Sequence, residues 1–226
     1  MLRSRFRAAL ALAAVTFGSS YACYVTGPHR RAWLPFVSEL DFYGLSRLPF
    51  TVGLVVLAVT VGLVGLGVAH ERSAKATSAA RRAFHGLLAA PLLVAGVGLA
   101  IVALVNVPRN ALWHGRGALL GFTGMIAWGA GQIFAGWADA ESRRTARGTL
   151  IARTLLVAVA ALAFLLTLAW FGRGLAEIHA DADLMAFYRL EPRPPIFLRA
   201  AAAEWTLVLA GLGTLATVTR ELEARP

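Results

Sequence analysis

Six apolar runs of about 20 residues, parted by short basic connections on one side and by two longer loops, Gly27–Pro49 and Gly172–Pro195, on the other, set the terms for everything this chain can fold into. Such a run is what roughly 30 Å of hydrocarbon demands at 1.5 Å per residue. No water there satisfies backbone N–H and C=O groups, so each run must be helical. The expected fold is all-α, a polytopic membrane protein built as a bundle of six transmembrane helices. The spans are expected at 8–25, 50–69, 84–105, 118–138, 150–171 and 197–219, in a single domain covering 1–226. Composition agrees, with 15% charged residues against about 25% in a typical soluble domain.

The net charge of +10 raises nucleic-acid binding, but the positions of the charges exclude it. They sit at the ends of apolar runs, where Lys and Arg set orientation and meet anionic lipid. Thirteen of the 22 Lys and Arg fall on the side that carries both termini, and nine on the other. The positive-inside rule therefore predicts both termini in the cytoplasm. Trp33, Trp113, Trp170 and Trp205 gather near the opposite face, as an outer aromatic belt would. One lysine, Lys75, among 21 arginines, with abundant Ala, Gly and Leu, points to a GC-rich bacterial genome, and so to a multi-pass protein of the cell inner (plasma) membrane.

Arg3, Arg5 and Arg7 ahead of the first span also fit a signal peptide, with Ser20-Tyr21-Ala22 as a cleavage site. The long apolar stretch, continued by Tyr21 to Val25, favours an uncleaved helix. The single cysteine, Cys23, forms no intramolecular disulfide and fits a small buried apolar position.

Glu204 is the most informative residue. It lies within the sixth apolar run, roughly 12 Å below the outer edge at helical rise. An ionisable side chain there costs up to ~2.5–3.5 kcal/mol on insertion scales, so it should face the bundle and have partners. One reading is a general acid/base or a ligand for a polar lipid headgroup. The other is a structural carboxyl paired with His114 or Arg116 at the top of the fourth span.

The outer segment Trp33 to Asp41 offers Ser38, Glu39 and Asp41 as headgroup ligands, or is an interfacial loop whose aromatics rest on the membrane. Gly117, Gly121, Gly124, Trp128, Gly131 and Ala135 form a stripe at spacings of four and three that allows close helix packing. Gln132 is expected to bond a neighbouring helix. The histidines His29, His70, His85, His114 and His179 show no metal spacing, so no metal and no cofactor are expected. A zinc site assembled across the outer loops from His29, His114 and His179 is the alternative. No nucleophile elbow, P-loop or dinucleotide fingerprint is present, and a nearly apolar midplane counts against transport.

Pro35-Phe36-Val37-Ser38-Glu39, His114 opening the fourth span, and Ala203-Glu204-Trp205 together resemble the FRAG/DRAM/SFK superfamily of six-helix membrane proteins. That superfamily includes DRAM-type autophagy modulators and factors that remodel the lipid of GPI anchors, a group with a CWH-type N-terminal domain. The resemblance implies six helices, cytoplasmic termini and a role tied to membrane lipid. It leaves the substrate open, since a bacterial inner membrane has no GPI anchors.

The leading expectation is a protein that binds or remodels a lipid or glycolipid headgroup in an outer-leaflet pocket. Spans four and six and the first outer loop would build it, with Ser38, Glu39, Asp41, Arg116 and Trp205 as binding residues. Any reaction there would use Glu204 with His114 as the acid/base pair, in a water-poor site. The rival is a non-enzymatic scaffold or regulator that holds partner membrane proteins through its small-residue faces.

Overall fold

The computed structural model describes residues 2–27, 34–42, 44–139, 144, 146–178 and 194–223. Trp33, His29 and His179, and with them any zinc site of His29, His114 and His179, and residues 179–193 of the loop before the sixth span, lie outside the described residues. Among the described residues the chain is all-helical with no strand, with helices α1 (Leu2–Thr26), α2 (Arg47–Ala74), α3 (Ala79–Leu87), α4 (Ala89–Leu104), α5 (Val107–Ala138), α6 (Arg147–Glu177) and α7 (Pro195–Glu223). Six stretches are long and apolar enough to cross a membrane, α3 and α4 together making one of them. An even number of crossings puts both termini at one end of the bundle, here called the termini end. The other is the loop end.

Each crossing packs on its neighbour in sequence, and α7 returns to α1 and α5 to close the ring. The ring is uneven. The α6–α7 and α4–α5 pairs are tight, whereas α5 and α6 meet more sparsely. At the α4–α5 seam a Cβ on Gly98 would strike the Gly121 amide, and one on Gly124 would lie 2.5 Å from the Pro91 carbonyl oxygen. The stripe read from the sequence is thus a close approach of two backbones within this chain. Trp128, on the same stripe, is fully buried in the central core with Phe50, Leu54 and Leu92.

Several boundaries differ from those expected, for identifiable reasons. The third crossing breaks at Leu88, because Pro91 has no N–H to continue the ladder onto the preceding turn. The fourth begins at Val107, eleven residues before the expected start. Its opening turn is capped by Asn106, which accepts from the Arg109 amide. After extended backbone at Asn110, the main helix is capped by the Asn110 carboxamide accepting from Trp113 N at 3.1 Å. His114 therefore stands one turn inside a helix. The residues of the signal-like cleavage site lie within α1, where the buried Ser20 hydroxyl donates to the Thr16 carbonyl. Cys23 is a half-buried free thiol on the same helix.

Candidate functional site

The loop between α1 and α2, at the loop end, folds inward. Residues Val37–Asp41 form a 3-10 turn, and Phe36, Val37, Leu40 and Phe42 are all buried. The interfacial-loop expectation is corrected here, because the apolar side chains of this segment are buried in the clusters formed by the helices. Phe36 meets the Phe171 ring edge-on at 5.6 Å, and Phe171 meets Phe197 at 6.0 Å.

Such a turn brings backbone N–H groups into the bundle, and they need acceptors. Two carboxylates supply them on successive amides. Glu39 Oε2 accepts from Phe36 N at 2.8 Å, and Glu204 Oε2 accepts from Val37 N at 2.7 Å. Next to Glu204, Trp205 Nε1 donates to the Pro35 carbonyl at 2.8 Å, while its ring packs edge-on against Phe17 and Tyr21 of α1. The Glu-Trp pair on α7 thus clamps the loop at two points. Glu204 is only 7% exposed.

One oxygen of Glu204 holds the loop, and the other makes no hydrogen bond among the described residues. Two adjoining cavities, of about 90 Å³ and 240 Å³, are both lined by Ser38, His114 and Glu204, with a remainder that is apolar but for Thr214 in the smaller and Thr167 in the larger. The larger runs between α5 and α6, past Phe122, Phe164 and Phe171, along the sparsely packed seam. His114 is buried, and its Nδ1 pairs with the Val105 carbonyl at 2.7 Å, which fixes the ring as an Nδ1–H tautomer. Its Nε2 is buried and has no partner among the described residues. The Ser38 hydroxyl, half-buried, likewise makes none. Three polar side chains therefore converge on one apolar cavity with an acceptor, an acceptor and a donor-acceptor left over.

The other expected residues stand elsewhere. No hydrogen bond joins His114 to Glu204; each is anchored to backbone instead. Arg116 is two residues past His114, roughly 200° around the helix, and its guanidinium lies over the exposed Trp113 ring at 5.0 Å. It does not line the cavity, and neither do Glu39 and Trp205, which hold the loop from behind. Asp41 is also buried but faces α2, accepting from Thr51 Oγ1 at 3.2 Å with Arg47 at 3.8 Å. Burial pushes its carboxyl from 3.8 up to about 6, against the opposing pull of Thr51 and Arg47.

A second polar cluster, at the termini end, escaped the sequence reading. Glu221 is fully buried between Arg72 Nη2 at 3.0 Å and Arg153 Nη2 at 2.8 Å. Arg153, also fully buried, further donates to Thr217 Oγ1 and to the Gln132 carbonyl. Arg72 and Arg153, two of the thirteen Lys and Arg counted on the termini side, belong to this triad. The sequence did hold a signal, since Arg153 falls inside the expected fifth run of 150–171. Gln132 joins through its backbone; its carboxamide, expected to bond a neighbouring helix, has no partner among the described residues.

Comparison with curated proteins and with solved structures gives no match to either. A family model does match, over nearly the full chain. From residue 6 to residue 224 the sequence fits the Frag1/DRAM/Sfk1/Cwh43P N-terminal domain, and with its six apolar crossings this chain belongs to that family of membrane proteins.

Proposed function

We propose that this protein binds a membrane lipid or glycolipid by its headgroup in the loop-end cavity, with the acyl chains leaving between α5 and α6. The observation that carries the reading is the convergence of Ser38 Oγ, His114 Nε2 and the second Glu204 oxygen on an otherwise apolar cleft. Of the three, His114 Nε2 is a buried polar atom with no partner among the described residues, which is uncommon in native structures, and a headgroup bearing hydroxyls or amines would satisfy it along with Ser38 and Glu204. A pocket that is mostly apolar with a few converging polar groups is the usual form of a small-molecule site. Should the bound lipid also react, His114 Nε2 is the base and Glu204 the proton-carrying partner, with the ligand between them rather than a direct bond.

The loop end faces outward in this proposal, in a bacterial inner membrane. Setting aside Arg72 and Arg153, which the triad buries, leaves eleven Lys and Arg at the termini end against nine. Cysteine placed at the exposed Leu45 should react with an impermeant reagent on intact cells, and cysteine at the exposed Ser78 should not. The scaffold reading loses support because the α5 glycine stripe is already occupied by α4 of the same chain. Native mass spectrometry of gently solubilised protein is the direct test. A defined lipid species should travel with the wild type and be depleted in Ser38→Ala and His114→Gln. A protein partner in defined ratio with no lipid would replace this reading by the scaffold.

A further inference from the structure

The termini end carries a separate concavity of about 410 Å³, walled by residues of α2, α3 and α5 and the turn between α2 and α3. Arg72, Lys75 and Arg81 line it, facing the aromatic pair Phe84 and Phe134, whose rings meet edge-on at 5.4 Å. Asp139 and His85 complete the polar part of the wall.

The three cations are held differently. Arg72 is fixed by the buried Glu221 and so presents a rigid edge. Lys75 pairs with Glu71 at 3.3 Å on an exposed surface, a contact worth little and easily exchanged. Arg81 is exposed and its guanidinium has no partner among the described residues, whereas its neighbour Arg82 is tied to the Ala76 carbonyl in the turn. The helix that carries Arg81, α3, has no buried residue, and Ser78 caps it through the Arg81 amide.

We infer that this concavity is a second lipid site, taking the phosphate of an anionic glycerophospholipid from the leaflet at the termini end. Arg81 and Lys75 close on the phosphate while Arg72 forms the floor. The apolar wall decides between a lipid and a free anion. Phe134 is 65% exposed and Leu87, on α3, is 71% exposed, giving acyl chains a surface beside the charges that inorganic phosphate would not use. Basic pockets between transmembrane helices on the side facing an anionic leaflet are suited to such headgroups.

The test uses the full chain in zwitterionic nanodiscs, titrated with phosphatidylglycerol and read by native mass spectrometry of the released protein. Wild type should retain phosphatidylglycerol in preference to phosphatidylcholine. Arg81→Gln and Lys75→Gln should each weaken that retention about fivefold. Arg5→Gln removes an exposed charge at the same end but outside the pocket, and it should match wild type. Equal loss in Arg5→Gln would reduce the effect to diffuse surface charge and overturn the site. So would wild-type retention in the Arg81→Gln, Lys75→Gln double variant. Displacement of the lipid by inorganic phosphate at equal concentration would assign the pocket to a free anion instead.

Discussion

Glu204 and Glu221 share helix α7, seventeen residues apart, or roughly 26 Å at helical rise. Both are buried carboxylates, yet their surroundings differ. Glu221 has a guanidinium on each oxygen, and Arg153 is further tied to Thr217 and Gln132. Glu204 has one backbone amide on one oxygen and a cavity on the other side. The first arrangement joins α2, α6 and α7 and leaves no room for a ligand at the carboxylate. The second holds a loop in place and keeps polar capacity in reserve. An intramembrane charge is expensive wherever it sits, so how it is satisfied separates a structural carboxylate from one available for binding.

The sharpest way to break this comparison is at the triad. Glu221→Leu leaves Arg72 and Arg153 buried without their shared carboxylate, and removing one partner from a buried ion pair costs about 3–5 kcal/mol. Thermal unfolding in detergent should show a large loss of stability or of folded yield. A variant as stable as wild type would mean the triad is not a lock. The triple change Arg72→Met, Glu221→Leu, Arg153→Met should recover much of the loss, since apolar replacement of a whole buried network is often neutral.

At the loop end the expected effects are smaller. Glu204→Leu strands the Val37 N–H and should cost about 1–3 kcal/mol. Trp205→Phe keeps the ring contacts with Phe17 and Tyr21 but removes the donor to Pro35, for about 1 kcal/mol. Limited proteolysis within the 34–42 segment should rise in the same order. Equal resistance in both variants would show that the loop is held by Phe36, Val37 and Leu40 alone.

The smallest effect is a pH slope from Asp41. Its carboxyl titrates near 6 in the folded protein and near 3.8 when unfolded. Between those values the folded state keeps a proton that the unfolded state has lost. Stability therefore falls as pH rises from about 4 to 6 and levels off above. Asp41→Asn should flatten that slope and raise stability at neutral pH. Melting temperatures measured across pH 4–8 check it, and an unchanged slope would remove Asp41 as its source.

The six crossings were legible because apolar run length and bilayer thickness are the same physical quantity. The early start of α5 was not, since Arg109, Asn110, His114 and Arg116 lower the hydropathy of residues that are nonetheless helical. Glu204 could be found from cost alone, because an isolated carboxylate in an apolar run needs a reason. The inward fold of the Pro35–Asp41 segment could not, since aromatic and apolar residues look alike whether they rest on lipid or plug a bundle. Arg153 was misread for a related reason: counting charges by side treats every arginine near a span end as a surface charge. Its place inside the expected fifth run hints that it is internal, and its distant partner, Glu221, establishes it.

The most direct test of the account is Glu204→Gln, with folding and lipid retention measured on the same preparation. The carboxamide oxygen can still accept from Val37 N, while the oxygen facing the cavity becomes an NH2 donor. The account predicts a melting temperature close to wild type together with loss of the copurifying lipid. Full lipid retention at wild-type stability would contradict it, and so would stability and lipid falling in proportion, which would make Glu204 a structural carboxylate like Glu221.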